Sequence, residues 1–68
     1  MNDEVFETGI RRFLKEFGIT AQQEIENSVA SGIRSGKVDG STPIRARARL
    51  EIPSLGTYLD IERDIPLE

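Results

Sequence analysis

Arg45, Arg47 and Arg49 recur at every second position of the segment Ile44–Ile52. On an extended strand that spacing puts three guanidinium groups on one face, roughly 7 Å apart. Guanidinium forks bind phosphate oxygens bidentately, and a two-stranded ribbon can enter a nucleic-acid groove. This face is therefore the candidate binding site, for nucleic acid or another anion. A second set of charges repeats with the same period downstream, at Asp60, Glu62 and Asp64. If the two segments pair, each arginine faces a carboxylate across the hairpin. The face then becomes a ladder of ion pairs, which helps to set strand register and leaves little charge for a phosphate. The ladder is the reading that the residues favour.

Other chemistry finds little footing. The chain has no histidine and no cysteine, so the common general base, the thiolate nucleophile, the disulfide and the usual zinc ligands are all missing. The serines lack a recognisable activating base, and no glycine-rich loop joins a strand to a helix to hold a phosphate. Glu24 and Glu26 diverge on a helix, and the acids of the last segment face arginines. Tyr58 as a lone catalytic phenol would need a pocket that so short a chain is not expected to enclose. No catalytic residue, metal site or cofactor is expected, and the chain reads as non-enzymatic. The net charge of -3 also argues against non-specific binding to nucleic acid or anionic membrane. No apolar run approaches the roughly 20 residues that cross a bilayer, and the opening Met-Asn-Asp-Glu-Val-Phe lacks the features of a secretory signal. A cytoplasmic protein is expected.

The elements that carry these residues follow from periodicity. Ile44, Ala46, Ala48, Leu50 and Ile52 alternate with Arg45, Arg47, Arg49 and Glu51; Leu59, Ile61 and Ile65 alternate with Tyr58, Asp60, Glu62 and Asp64. A period of two marks half-buried strands. Pairing Ile52 with Thr57 sets Leu50 beside Leu59, Ala48 beside Ile61 and Ile44 beside Ile65. The same register sets Arg49 beside Asp60, Arg47 beside Glu62 and Arg45 beside Asp64, and a slip of one residue would mix both faces. Pro53 and Gly56 suit a type I turn followed by a residue at positive φ. Arg63 falls on the apolar face opposite Ala46. An inward charge there would protect a sheet edge from unwanted pairing, or would meet a glutamate of a helix or of a second subunit.

Upstream, Phe6, Ile10, Phe13, Leu14 and Phe17 recur at intervals of three and four, which predicts a helix with Asn2 or Asp3 as its cap. The three phenylalanines read as core. Gly18 is the expected stop, and Thr20 with Gln23 matches a capping box that would start a second helix. Ala21, Ile25, Val29 and Ile33 give that helix a thin apolar stripe, beside a lane of Ser28, Ser31, Gly32 and Ser35. The small lane suits close packing against Gly9 of the first helix, or a smooth surface for an external partner. Gly36 or the segment Val38–Ser41 ends the helix.

The order of these pieces resembles a family of short bacterial proteins of unknown function. The likeness rests on Ile10-Arg11-Arg12-Phe13-Leu14-Lys15, Gly18-Ile19-Thr20, Gln23-Glu24-Ile25-Glu26, Leu50-Glu51-Ile52 and Leu55-Gly56. It implies a small standalone bacterial protein and brings no activity, substrate or site residue with it. The expected fold is α+β, with two helices packed on one face of a C-terminal antiparallel hairpin. Residues 1–68 form one small domain, with helices over 3–17 and 20–36 and strands over 43–52 and 57–65. The expected role is that of a structural or regulatory interaction module. Its expected partner is a second copy of the chain, joined through the outer edge of the first strand into a four-stranded sheet. An unidentified protein is the other candidate partner, and neither nucleic acid nor membrane is expected.

Overall fold

The computed structural model describes all 68 residues, Met1–Glu68. One helix, α1, spans Asp3–Ser35, and two strands follow, β1 (Ile44–Ile52) and β2 (Thr57–Ile65). The chain divides into two compact units, Met1–Lys37 and Val38–Glu68.

Asn2 starts the helix. Its side-chain oxygen accepts from the backbone N–H groups of Glu4 (3.0 Å) and Val5 (3.1 Å), which satisfies two donors that the first turn leaves free. Asp3 and Glu4 then place negative charge at the positive end of the helix dipole. The helix runs through Gly18, Ile19 and Thr20 without interruption, and this corrects the two-helix expectation. A glycine inside a helix costs about 1 kcal/mol against alanine. Ending the helix there would release four carbonyls, and restarting it would release four N–H groups, so propagation is the better solution. Thr20 caps nothing, because in a continuous helix the N–H groups of Gln22 and Gln23 bond the carbonyls four residues earlier. Gln22 instead donates its side-chain amide to Glu26 at 2.9 Å.

With one helix there is no antiparallel pair to cover the hairpin, and Gly9 shares its helix with Ser28, Ser31 and Gly32 rather than facing them. A Cβ added at Gly9 would meet no atom within 4 Å. The apolar residues also take on a different meaning. Phe6, Ile10, Phe13 and Phe17 keep to one face, but steps of four residues from Phe17 to Ile33 advance the stripe by about 40° each, or about 160° in all. What read as two separate faces is one stripe winding around a single rod.

The rod ends at Gly36, at φ 80°, where glycine avoids the steric cost of a side chain. The N–H of Gly36 bonds the carbonyl of Ile33 at 3.2 Å and the N–H of Lys37 bonds that of Gly32 at 2.8 Å, the crossed pair of a Schellman motif. In the loop beyond, Asp39 accepts from the backbone N–H groups of Ser41 (2.9 Å) and Thr42 (2.8 Å), and from the Thr42 hydroxyl (2.9 Å). These donors hold its carboxyl down to about 2, the Ser41 N–H contributing most.

In the second unit β1 and β2 pair antiparallel in the register that alternation specifies, from Ile44 opposite Ile65 to Ile52 opposite Thr57. A 3₁₀ turn, Pro53–Leu55, and Gly56 at φ 64° join them, with the Gly56 N–H on the Pro53 carbonyl at 3.2 Å. No side chain of the chain is buried, so the phenylalanines read as core stand half-exposed.

Candidate functional site

The two strands carry every charged residue singled out as a candidate ligand or its partner. Because side chains alternate across a strand, one face of the hairpin holds Arg45, Arg47, Arg49 and Glu51 from β1 and Tyr58, Asp60, Glu62 and Asp64 from β2. Arg49 forks onto Asp60, with Nε to Oδ1 at 2.7 Å and Nη2 to Oδ2 at 3.0 Å. Arg45 divides itself between Asp64 (3.1 Å) and Glu62 (3.2 Å). Arg47 donates through Nε to the other oxygen of Glu62. Glu62 thus bridges two arginines and is the least exposed acid of the ladder, with 34% of its side chain open to solvent.

The electrostatics follow from this geometry. The hydrogen bond from Arg49 is the largest influence on Asp60 and holds its carboxyl below the usual carboxylate range, against a smaller opposing effect of desolvation. The bonds to Asp64, Glu62 and Asp60 raise the affinity of Arg45 and Arg49 for their protons, so these guanidinium groups stay charged. Three guanidinium groups meet four carboxylates, counting Glu51, which lies 3.8 Å from Arg49. A phosphate approaching this face would meet paired cations and a surplus of negative charge.

Sequence reasoning places the three arginines and their partners together, as they are found. It did not find the Glu62 bridge, nor the stacking of Tyr58, whose ring lies under the Arg49 guanidinium with 5.0 Å between charge and ring centre. The available signal was the diagonal position of Tyr58 relative to Arg49 on one sheet face, which lies within reach of an aromatic ring. Arg63 sits opposite Ala46 as expected from parity, and its Nη1 donates to the Glu62 carbonyl at 2.6 Å. Glu24 and Glu26 do not converge: Ser28 donates to the first at 3.4 Å and Gln22 to the second. No three of His, Cys, Asp or Glu come together as a metal ion would require. Nor is any helix long and apolar enough to cross a membrane.

Fold and surface define a chain of the α+β class, with a capped helix and an ion-paired β-hairpin. Residues 1–68 match the family model of DUF6494, a family of unknown function, and the chain belongs to that family. No curated protein and no solved structure matches it.

Proposed function

We propose that this small bacterial protein acts by binding rather than catalysis, as a cytoplasmic structural or regulatory interaction module that self-associates. The observation that carries this reading is the lack of any buried side chain in a chain that exposes Phe6, Phe13, Phe17, Leu59 and Ile61 by half or more. A stable domain packs at least two layers of structure around a shared core. Within Met1–Lys37 one helix is a single layer, and within Val38–Glu68 a two-stranded sheet is by itself marginal in water. Apolar surface from a partner would supply what each unit lacks. Against catalysis, Asp39 and Asp60 are both held below the ordinary carboxylate range, the opposite of what a proton donor near neutral pH requires. The nucleic-acid reading ranks second, since a phosphate backbone would have to displace Asp60, Glu62 and Asp64 from Arg45, Arg47 and Arg49.

Light scattering after size exclusion, at tens of micromolar protein, tests the proposal. A mass of twice the 7.6 kDa chain is expected, and one chain with a stable fold would sink it. Micromolar binding to duplex DNA or RNA at low salt, lost on charge reversal of Arg45, Arg47 and Arg49, would reverse the ranking.

A further inference from the structure

The exposed side chains Phe6, Ile10, Phe13 and Phe17 are spaced four, three and four residues apart, and that spacing reads the same in both directions. A closed two-fold interface requires such a self-complementary patch, in which residue i meets j and j meets i. We infer that this first half of α1 is the self-association surface, pairing antiparallel with the same stripe of a second copy about an axis level with Arg11 and Arg12. The inference rests on the self-association reading and names its surface.

Turned about that axis, Phe6 meets Phe17 of the second copy and Ile10 meets its Phe13. At about 100° per residue, Arg11 and Arg12 each lie about 130° from the centre of the stripe, on opposite sides, so the charges nearest the axis point away from the seam. Glu7 and Glu16 flank the stripe on opposite sides. Each lies about 13 Å along the axis from its own symmetry mate, beyond the roughly 8 Å Debye length of physiological salt. A parallel pair would instead carry the alignment on past Phe17 and set Glu24 against Glu24 on the same face. The outer edge of β1 is the poorer seam, because it would draw Arg45, Arg47 and Arg49 toward their own mates.

The available area is of the right order. Phe6, Phe13 and Phe17 are 52%, 54% and 50% exposed, and Leu14 beside them 53%. At about 100 Å² from each half-exposed phenylalanine, and somewhat less from Ile10 and Leu14, the pair removes roughly 900 Å² from water. The polar rim brings this to the roughly 1,000 Å² that a specific interface needs.

The test uses the full-length protein, by sedimentation and by distances between spin labels. Phe13→Gln combined with Phe17→Gln should weaken dimerisation at least tenfold, while Ile33→Gln, which removes an equally exposed residue (48%) from the far side of the helix, should leave it unchanged. Because the chain has no cysteine, Thr8→Cys and Gln22→Cys each carry one label on the outer side. In the antiparallel pair the axial offset between labels is about 10 Å for Thr8 and about 30 Å for Gln22, so the second distance must be clearly longer. Equal distances would overturn the antiparallel seam even if the glutamine variants failed to fold. A dimer that survives both glutamines overturns the seam and leaves self-association standing. A monomer at every accessible concentration overturns both.

Discussion

Replacing Gly18 with alanine separates a continuous helix from a broken one, because the two arrangements predict effects of opposite sign. Gly18 lies near the middle of α1, is not among the glycines at positive φ, and leaves open space where a Cβ would stand. Alanine there relieves the backbone entropy cost of glycine without a clash, so Gly18→Ala should stabilise the helix by about 0.8–1 kcal/mol. Gly36 serves as the internal control. Space is open around it too, but at φ 80° the Cβ of an L residue approaches the carbonyl, and Gly36→Ala should cost about 1–2 kcal/mol. Urea unfolding followed by far-ultraviolet circular dichroism, at one fixed protein concentration, measures both changes. Amide exchange across Phe17–Gln23 should slow in the first variant, since those N–H groups would then sit in a stiffer helix. If Gly18→Ala were destabilising, as Gly36→Ala should be, Gly18 would be a helix terminus and the continuous helix would be wrong.

The ladder and its acid response can be checked in the same unfolding assay. Arg47 has one acidic partner and Glu62 has two basic ones, so Glu62→Ala should cost more than Arg47→Ala. Their double-mutant cycle should show a coupling of about 0.2–1 kcal/mol that shrinks in high salt, and strict additivity at low salt would refute the pairing. Asp39 and Asp60 have folded values depressed below the unfolded one of about 3.9, so the stability they contribute is present above pH 4 and lost as pH falls through the folded values. Carboxyl titration by NMR should place both midpoints below 3.9, Asp39 near 2; a midpoint at the unfolded value for either would refute its hydrogen bonding.

The hairpin was legible because two independent signals share one period. Apolar residues and charges both alternate from Ile44 to Ile52 and, but for Arg63 on the apolar face, from Leu59 to Ile65, and a slip of one residue would ruin both patterns together. The turn was legible for a different reason, since Pro53 and Gly56 each restrict or free one backbone angle at a defined place. Beyond register, the site was not legible. Which carboxylate oxygen each arginine takes, and how Glu62 comes to serve both Arg45 and Arg47, depends on side-chain rotamers rather than spacing.

The helix misled because its stop signals are weak beside what they must overcome. Gly18 and Thr20 each contribute only on the order of 1 kcal/mol to a break, whereas a break frees a full set of backbone groups at both new ends. Nothing local in Gly18-Ile19-Thr20 forbids helical geometry, as a proline would. The difference alters what the apolar residues can do. Two short helices could each have turned an apolar face to the same sheet. One helix of 33 residues is a rod about 50 Å long, on which the Phe6–Phe17 stripe and Ile33 point to opposite sides. No single flat surface can bury both, so a second copy seated on Phe6–Phe17 would leave Ile33 uncovered. The half richest in aromatic surface is the one whose spacing is already symmetric.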